Sequence, residues 1–356
     1  MRANIAILPG DGIGPEVTAA AVSVLQAVAE RHRHEFRFDS HLIGGCAIDA
    51  TGEALPEATR NACLGANAVL LGAVGGPQWS DPKAVVRPEQ GLLQLRALLG
   101  VFANVRPIKV SDRAAQFSPI RADRLQGVDM VFVRELTGGS YFGRKTRDAD
   151  SATDECRYTV LEIERVAHKA FQLAQSRRKK VTSIDKANVL ETSRLWRETV
   201  NKVAGHYPDV TLEHQLVDSM AMLLISRPSD YDVLVTENLF GDILTDEAAV
   251  LAGSLGLLPS ASLGVGSRGL YEPIHGSAPD IAGQGVANPI GSILSAALLL
   301  RYSFGLETEA AAIEAAVESV IADSELTRDL SGTASTQSIT DAVLSRLLST
   351  TEIQAA

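Results

Sequence analysis

The chain has 356 residues, of which 46% are hydrophobic and 21% are charged, and its formal net charge at pH 7 is -10. This composition is typical of a globular protein and leaves room for one large or two medium-sized domains. Nucleic acid and membrane are not expected partners, because the longest basic run is "RRKK" at 177 to 180 and the longest nearly uncharged apolar stretch, at 290 to 300, is too short to span a bilayer.

The first predicted elements are a short strand at 3 to 8 ("ANIAIL") and a helix that begins near Pro15. Because the strand starts at once and runs into a proline and a glycine, this segment is not expected to be a signal peptide. The connection "PGDGIGPE" at 9 to 16 is rich in glycine, but it lacks the GxGxxG spacing of a Rossmann loop. The pattern favours a tight turn with a helix cap over a phosphate site. The apolar face of the helix is formed by Val17, Ala21, Val24 and Val28.

Short apolar runs and helical patterns then alternate along the chain, which predicts an α/β protein. Further strands are predicted at 67 to 74, 128 to 133, 180 to 185, 210 to 217 and 231 to 238. Six residues predict the buried face of a helix: Ile163, Val166, Ala167, Ala170, Phe171 and Ala174. The segment from 140 to 164 is polar, favours β structure and lacks a helical period, so it is predicted to form an excursion such as a hairpin or arm.

The segment "PEQGLLQLR" at 88 to 96 places Glu89, Leu92, Leu93 and Arg96 on one face of a predicted helix. Two leucines there normally indicate a core, but burying the flanking charges is costly unless they are paired. Two interpretations stay open. One is an ion pair between Glu89 and Arg96, and the other is a ligand with an apolar part and an anionic part.

Two more arginines occur in apolar surroundings, Arg106 in "ANVRPIK" and Arg134 in "MVFVRE". A guanidinium does not deprotonate, so each needs an anion, and a structural carboxylate is the ordinary answer. Together with Arg96, they also suit a ligand that carries two carboxylates. Lys186 and Asp218 follow predicted strands, where α/β proteins often bind ligands, and a solvated loop is the equal alternative for each.

The segment "FGDILTDE" places Asp242 and Asp246 four residues apart, on one face if the segment is helical. Like charges at that spacing repel, so either water solvates the face or a positive group lies on it. The stretch from 271 to 289 is long, rich in glycine and proline, and aperiodic, which is typical of a functional loop. His275 stands alone in it without metal-ligand spacing, and a cap over a planar ligand is one interpretation.

Eight segments occur in the order found in one family and cover almost the whole chain. They are "LPGDGIGPEV", "GLLQLR", "FANVRP", "VRELTGGSYFG", "DKANVL", "VDSMAM", "NLFGDILTDEA" and "EPIHGSAPDIAG" with "ANP". The chain resembles the β-decarboxylating hydroxyacid dehydrogenases, and among them most closely the 3-isopropylmalate dehydrogenases of leucine biosynthesis. The two leucines of "PEQGLLQLR" stand where isocitrate-type relatives carry a serine and an asparagine. The departures are a missing lysine in "ALLGVFANVRP" and a weaker match at "LSGTASTQSI".

The resemblance implies an isopropylmalate/isocitrate dehydrogenase-like doubly wound α/β fold with a central mixed sheet and a dimerisation arm near 140 to 164, not a Rossmann domain. The first domain would comprise residues 1–101 and 254–356 and would bind the cofactor. The second, 102–253, would carry the dimer contact with metal and substrate residues. Two complete sites would require a homodimer, because Lys186 and Asp218 would reach into the partner subunit's site.

The resemblance also implies a role for each candidate residue. The substrate residues would be Leu92, Leu93, Arg96, Arg106, Arg134, Val189 and Asp218. Mg²⁺ or Mn²⁺ would be held by Asp242, Asp246 and the partner subunit's Asp218, since both cations prefer carboxylate ligands. The NAD residues would be Glu89, His275, Gly276, Ser277, Ala278, Pro279, Asp280, Ile281 and Asn288. The arginines would bind two carboxylates, the apolar side chains would surround an isopropyl group, and Asp280 would accept hydrogen bonds from the ribose hydroxyls.

The implied reaction is the NAD-dependent oxidative decarboxylation of (2R,3S)-3-isopropylmalate to 4-methyl-2-oxopentanoate and CO₂. The metal would act as a Lewis acid on the substrate hydroxyl and its neighbouring carboxylate. The catalytic residues would be Tyr141, Lys186 and Asp218. Lys186 would accept the proton of the hydroxyl on C2, directly or through water, and Tyr141 would protonate C3 once CO₂ has left.

Two alternatives stay open. A related D-malate or tartrate dehydrogenase would act on substrates without an isopropyl group, which would leave Leu92 and Leu93 nothing to cover. A non-catalytic relative would be expected to have lost some of five residues that are all present. These are Tyr141, Lys186, Asp218, Asp242 and Asp246. Three cysteines without CxxC spacing indicate reduced thiols and hence a cytoplasmic protein.

Overall fold

The computed structural model describes residues 1–81 and 84–349. Its strands are β1 (Arg2–Gly10), β2 (Glu35–Ser40), β3 (Ala68–Ala73), β4 (Ala103–Lys109), β5 (Asp129–Glu135), β6 (Lys145–Arg147), β7 (Ala152–Asp154), β8 (Lys180–Asp185), β9 (Thr211–Leu216), β10 (Val233–Thr236), β11 (Pro259–Leu263) and β12 (Gly269–Pro273). Its α-helices are α1 (Gly14–His32), α2 (Gly45–Thr51), α3 (Glu57–Gly65), α4 (Pro88–Leu99), α5 (Ala122–Leu125), α6 (Val160–Gln175), α7 (Glu191–Ala204), α8 (Val217–Ser226), α9 (Asn238–Ala249), α10 (Ile290–Phe304), α11 (Glu307–Asp323) and α12 (Thr336–Ser349).

The chain divides into two compact units, residues 1–100 with 254–356 and residues 101–253. Each unit alternates strands with helices, so the predicted α/β class is confirmed. Val101 lies in the second unit rather than in the first, where it was predicted. The reason is local: Gly100 ends α4 with a φ of 64°, and the buried Val101 already leads into β4. The roles assigned to the two domains stay predictions.

In the first unit the strand order is β2-β1-β3-β12-β11. The strands β2, β1, β3 and β12 run parallel, whereas β11 is antiparallel to β12, so the strands of this unit have mixed directions. The predicted apolar face of α1 is fully buried, and the apolar stretch at 290 to 300 is the buried core helix α10. None of the described helices is both long and apolar enough to cross a membrane.

The glycine-rich turn after β1 brings backbone segments into close contact. Gly10 has a φ of 71°, and a Cβ there would lie 1.9 Å from the carbonyl oxygen of Ala73. A Cβ on Gly12 would lie equally close, at 1.9 Å, to the carbonyl oxygen of Ser277. The predicted tight turn is therefore confirmed. The predicted cap differs, since Ile13 is the N-cap residue of α1 and no side chain caps that helix end.

The carboxylate of Asp11 occupies this turn in the way that an anionic ligand would. It accepts hydrogen bonds from the backbone N–H groups of Gly45, Cys46 and Gly75 at 2.7–2.8 Å. Asp11 is buried, and these donors satisfy its charge from inside the protein. The geometry therefore agrees with the structural interpretation of the motif and not with a phosphate site.

In the second unit the strand order is β4-β5-β10-β8-β9. β4 is antiparallel to β5, and the other neighbours are parallel, so the strands of this unit also have mixed directions. The six predicted apolar residues of α6 are all buried, and this helix packs on β5, β10 and β8. The helix α9 lies against β4 and β5. It is the element that brings the acidic residues to the sheet.

The predicted excursion is partly correct. β6 and β7 form an antiparallel hairpin whose strand residues are all exposed to solvent. The predicted end at residue 164 is wrong, because α6 begins at Val160. Thr159 caps this helix in a capping box: its hydroxyl accepts from the Glu162 backbone N–H, and the Glu162 carboxylate accepts from the Thr159 backbone N–H.

Candidate active site

The acidic pair lies on α9, as the sequence predicts. Asp242 and Asp246 are one helical turn apart, with side chains 37% and 68% exposed. A positive group lies on this face, because Arg134 pairs with Asp242 and the Nη1 of Arg106 lies 3.6 Å from a carboxylate oxygen of Asp246. Of the two interpretations of the "FGDILTDE" segment, the one with a positive group is therefore confirmed, and arginines supply the charge within the chain.

A glycine permits this close approach of α9 to the sheet. A Cβ at Gly241 would lie 2.7 Å from the Cγ of Arg134 and 2.9 Å from the Cγ2 of Thr236. Any larger residue would push the helix, and both aspartates with it, away from β5. The glycine before Asp242 thus sets the distance between the carboxylates and the buried guanidinium.

Arg106 and Arg134 are both buried, at 8% and 3% exposure. The Nε of Arg106 donates to the Oδ1 of Asn104 at 2.6 Å, and its Nη1 donates to the hydroxyl of Thr245 at 2.7 Å. Arg134 donates through Nε and Nη2 to a single oxygen, the Oδ1 of Asn238, at 3.0 and 2.7 Å. The guanidinium groups therefore have fixed orientations before any ligand binds.

Tyr141 joins the same cluster from the 3₁₀ turn at Gly139–Tyr141. Its hydroxyl donates to the Oδ2 of Asp242 at 2.5 Å. Burial, with the adjacent Asp242 carboxylate, raises the pKa of Tyr141 to about 12. The phenol is therefore protonated at neutral pH and can donate a proton.

The two aspartates differ in their electrostatic surroundings. Burial opposes the ionisation of Asp242, but Arg134 and the Tyr141 hydroxyl outweigh it and hold the pKa of Asp242 below its ordinary value. Burial raises the pKa of Asp246, and the charge of Asp242 adds to this effect, against the opposing charge of Arg106. The negative charge of Asp242 is therefore stabilised by its neighbours, whereas the negative charge of Asp246 still lacks a full counter-charge.

A buried tyrosine supports the cluster and was missed by the sequence analysis. The hydroxyl of Tyr158 donates to the Oε2 of Glu237 at 2.8 Å and accepts from the Asn238 backbone N–H at 3.0 Å. Glu237 in turn caps α9 by accepting from the Phe240 N–H at 2.6 Å. The Tyr158 ring also lies under Gly139, where a Cβ would meet its hydroxyl at 2.2 Å. Tyr158 thus fixes both α9 and the turn that carries Tyr141.

Lys186 and Asp218 form a second group in the same unit. Lys186 follows β8, Asp218 lies in the first turn of α8, and the lysine Nζ lies 2.6 Å from an oxygen of Asp218. This contact holds the pKa of Asp218 below its ordinary value. Val189, three residues after Lys186, is 62% exposed. Among the described residues, no group of three or more metal-ligating side chains is found, so one chain brings Asp242 and Asp246 together without Asp218.

In the first unit, Arg96 does not pair with Glu89, so that interpretation is wrong. Its Nη2 donates to Glu272 of β12 at 2.8 Å, and both side chains are about one-tenth exposed. Glu89 is exposed and lies near Gly75, where a Cβ would meet its Oε1 at 2.8 Å. The buried Nε of Arg96 has no hydrogen-bond partner among residues 1–81 and 84–349. A buried donor without a partner is costly, and an anionic ligand would satisfy it.

The leucines of α4 divide into two environments. Leu95 is fully buried in the core of the first unit. Leu92 and Leu93 are half-buried, and Leu92 also touches that core. The prediction that these two are not pure core residues agrees with their exposure, and their role at a substrate stays a prediction.

The aperiodic loop is shorter than predicted, because β12 continues to Pro273 and pairs with β11. Asp280 is exposed to solvent, and Ile281 packs with the core residues Ile13 and Val17. Asn288 is buried and donates to Asp329 at 3.0 Å. The loop is thus anchored at its two ends and presents a carboxylate between them.

His275 is a second residue of the loop, besides Asp280, with a hydrogen-bonding group that a ligand could contact. Its Nδ1 lies 2.9 Å from the carbonyl oxygen of Gly276, and burial lowers the pKa of the imidazole. Its buried Nε2 lacks a partner in the part of the chain that the structure describes. Ser277 is buried, and its carbonyl oxygen accepts from the Ile13 backbone N–H at 2.8 Å. Gly276 and Pro279 are exposed, and Ala278 is half-buried with a φ of 37°.

Comparison with known proteins decides the family. The family model for isocitrate/isopropylmalate dehydrogenase matches residues 4–343. The chain belongs to this family. Its relatives include a 3-isopropylmalate dehydrogenase of Anaeromyxobacter dehalogenans, which is 59% identical over 352 residues, 98% of this chain and 100% of the relative.

Solved structures of the isocitrate/isopropylmalate dehydrogenase family have the same fold. An isocitrate dehydrogenase from Methylococcus capsulatus matches with a TM-score of 0.85 at 35% identity, covering 97% of this chain and 99% of that one. A β-decarboxylating dehydrogenase from Thermococcus kodakarensis matches with a TM-score of 0.83 at 38% identity, covering 99% of each chain. The family resemblance and the predicted family fold, distinct from a Rossmann domain, are both confirmed.

Proposed function

We propose that this chain is a 3-isopropylmalate dehydrogenase that uses NAD to convert (2R,3S)-3-isopropylmalate into 4-methyl-2-oxopentanoate and CO₂ in leucine biosynthesis. The observation that carries the proposal is the cluster on α9 and β4–β5, where two buried arginines, two aspartates and a protonated tyrosine meet. This set can bind a substrate carboxylate, hold a divalent cation and supply a proton. Family membership and the 59% identical relative of that name support the same reaction.

Substrate binding would rest on the three arginines. Arg106 and Arg134 are already oriented, and bidentate pairing with carboxylates suits their planar groups. Arg96 carries a buried Nε that lacks a partner among the described residues, which supports a role in binding the second carboxylate. The half-buried Leu92 and Leu93 would contact the isopropyl group, as would the exposed Val189 of the partner subunit's chain.

The acidic pair suits Mg²⁺ or Mn²⁺, because hard cations prefer carboxylate oxygens and would relieve the repulsion that burial imposes on Asp246. Asp242 and Asp246 would hold the cation together with the partner subunit's Asp218. When bound, it would supply Lewis-acid polarisation of the substrate oxygens.

Two residues would move protons. Lys186 would accept the proton of the substrate's C2 hydroxyl through the neutral form of its amine, and Asp218, whose oxygen lies 2.6 Å from Nζ, would hold that amine in position. Tyr141 would donate its proton to C3 after decarboxylation, since its phenol stays protonated well above neutral pH. The reaction would be complete when Lys186 releases the proton it accepted and Tyr141 takes one up, so no net proton is consumed.

The loop from His275 to Asn288 would bind NAD, and Glu89 would contribute from α4. The fit is supported by the unpartnered buried Nε2 of His275 within the described residues and by the exposed carboxylate of Asp280. An aspartate suits the two ribose hydroxyls as a hydrogen-bond acceptor and would repel a 2′-phosphate. NAD is therefore proposed over NADP.

A homodimer is proposed because the helices of the second unit expose apolar side chains. Met222 of α8 and Ile243 of α9 are 67% and 60% exposed, and Leu239 and Val250 add to the same helix region. Surfaces of this kind are typical of subunit interfaces. The fully exposed hairpin of β6 and β7 also supports a partner, because an isolated two-stranded hairpin is marginally stable. We place this dimer in the cytoplasm.

The direct test compares NADH formation with 3-isopropylmalate, D-malate, tartrate and isocitrate under identical conditions with Mg²⁺. We expect the highest kcat/KM for 3-isopropylmalate. A higher kcat/KM for D-malate or tartrate would replace the proposal by the related dehydrogenase, whose substrate gives Leu92 and Leu93 no isopropyl group to cover. Absence of turnover with all four would favour a non-catalytic relative.

A further inference from the structure

The arginines of this chain differ in the group that accepts their Nε proton. Away from the proposed site, Nε donates to a carboxylate in the pairs Arg177–Asp232, Arg197–Asp185 and Arg301–Glu307 at 2.7–2.9 Å. In Arg194, Arg268 and Arg346 it donates to a carbonyl or hydroxyl oxygen. In the cluster, Nε donates to neutral amides: Arg106 to Asn104, and Arg134 to Asn238. The Nε edge of each proposed substrate arginine is therefore held by a buried side chain that adds no negative charge.

The sheet register brings these side chains to one face. Asn104 of β4 lies directly opposite Arg134 of β5, and Arg106 is two residues beyond Asn104 on the same strand. Residues opposite each other in an antiparallel pair, and residues two apart on a strand, point to the same side. Asn238, the first residue of α9, reaches this face from the helix that packs on it. Both amides are buried, at 0% and 1% exposure.

An amide oxygen and a carboxylate orient a guanidinium equally well but have different electrostatic effects. In a buried site, a carboxylate at Nε would offset the positive charge, and an anionic ligand would gain less from binding. An amide accepts the same hydrogen bonds and leaves the charge in place. Asp242 and Asp246 contact the Nη edge of these arginines, but they are the proposed metal ligands, so a bound dication would share their charge.

We infer that Asn104 and Asn238 are positioning residues, which aim Arg106 and Arg134 at an anionic substrate without neutralising them. This inference deepens the proposed function and rests on it for the role of the two arginines. Asn238 is the more tightly held of the two amides. Its Oδ1 accepts two N–H groups of Arg134, its Nδ2 donates to the carbonyl oxygen of Gly138 at 3.2 Å, and Tyr158 accepts its backbone N–H.

The test compares Asn238→Asp with Asn238→Ala in the full-length protein. The aspartate keeps the shape and the acceptors, while the alanine leaves two buried N–H groups of Arg134 without their acceptor. Both variants lose the Nδ2 donor to Gly138, so this loss does not distinguish them. Asn104→Asp and Asn104→Ala form a second pair, in case the first fails to fold. Asn201→Asp, an exposed amide on α7 that contacts His214, controls for one added negative charge in the same unit.

The dissociation constant is measured by calorimetry with Mg²⁺. The ligand is the one that the wild-type protein binds most tightly among 3-isopropylmalate, D-malate, tartrate and isocitrate. We expect the aspartate variant to weaken binding about 30-fold and the alanine variant about threefold. Asn201→Asp should bind as the wild type does. Circular dichroism and the dissociation constant for NAD show whether each variant is folded.

A purely structural role predicts the reverse order, because the aspartate preserves more contacts than the alanine does. Binding by the aspartate variant that equals the wild type, or that is tighter than binding by the alanine variant, would overturn the inference. The choice of ligand separates this outcome from the proposed function. If the wild type prefers D-malate, the proposed substrate is wrong, while the order of the two variants still decides the role of the amides.

Discussion

The acidic cluster of the second unit and the loop at 275–288 of the first unit hold their chemical groups in different ways. In the cluster, side chains are held by other side chains. Asp242 forms an ion pair with Arg134 and also accepts a hydrogen bond from Tyr141. The loop is held mainly through its backbone and its two ends, and Asp280 projects into solvent. The difference indicates that the proposed substrate-binding side chains are preorganised, whereas the proposed cofactor segment presents a shaped backbone with one charged side chain.

This contrast predicts that replacing a single side chain lowers activity more in the cluster than in the loop. Removing a member of an interlocked cluster disturbs its neighbours and removes a reacting group. Removing a side chain from the loop removes one contact and leaves the backbone in place. Variants in the two regions therefore test the comparison, and the expected effects are largest in the cluster and smaller in the loop and in α4.

The largest effect is expected for Tyr141→Phe. The proposed proton donor is lost, so kcat should fall about 10³-fold, while the KM for isopropylmalate should change by less than about threefold. Steady-state kinetics checks both values. Tyr207→Phe removes a hydroxyl that contacts His168 elsewhere in the unit and should leave kcat unchanged. A kcat for Tyr141→Phe within about threefold of the wild type would remove Tyr141 from the mechanism.

Asp280→Ala should have a smaller effect, confined to the nucleotide. We expect kcat/KM for NAD to fall about tenfold and the wild-type preference for NAD over NADP, expected at about 100-fold, to shrink. The KM for isopropylmalate should not change. Asp341→Ala, which removes another exposed carboxylate of the first unit, is the matched control. Equal turnover of NADP and NAD by the wild type would show that Asp280 does not select the nucleotide.

Leu93→Ser tests the apolar side of the substrate. A lost contact with a branched group corresponds to about 1–3 kcal/mol, so kcat/KM should fall about 10- to 100-fold for isopropylmalate and much less for D-malate. Leu93 is preferable to Leu92, which also packs on the core. Leu98→Ser, on the core-contacting side of the same helix, controls for lost stability. Equal losses on both substrates would contradict the pocket assignment.

The smallest effect concerns the titration of Tyr141 in the metal-free protein. Burial and the Asp242 carboxylate hold the pKa at about 12, against an ordinary value of about 10. The raised pKa favours the protonated phenol, so ionisation should begin only well above pH 10. An ultraviolet difference titration of the wild type against Tyr141→Phe measures this value. Ionisation at the ordinary value would show that the contact with Asp242 is absent in solution.

The sequence predicted the fold best where strands are buried on both faces. The strand at 180 to 185 has the predicted bounds, and residues 181 to 185 are all buried. β2 and β4 were not assigned, because β2 is largely exposed and β4 buries Asn104 and Arg106 at positions where apolar residues are expected. The early end of the arm was signalled by the capping box at Thr159 and Glu162, which the polar composition obscured.

The site was predictable where chemistry and spacing coincide. The spacing of Asp242 and Asp246 alone predicts that they share one helix face, and the three arginines predict an anion. The supporting residues carry no such signal: Glu272 and Tyr158 reach their partners only through tertiary folding. Asn104 could have been found from its position two residues before Arg106 on a strand, where both side chains share a face.

The central claim is that each active site takes residues from two subunits. Lys186→Met and Asp242→Asn should each be nearly inactive alone, since one lacks the proposed proton acceptor and the other a proposed metal ligand. In a mixed dimer, one site carries both lesions and the other carries neither.

The decisive measurement is the activity regained when the two inactive variants are mixed under conditions that exchange subunits, with exchange verified by mass spectrometry of differently labelled chains. About half of the dimers should be mixed, each with one intact site, so activity should return to about a quarter of the wild-type value. Activity that stays at the level of the single variants despite complete exchange would contradict the account and show that each site is built from one chain.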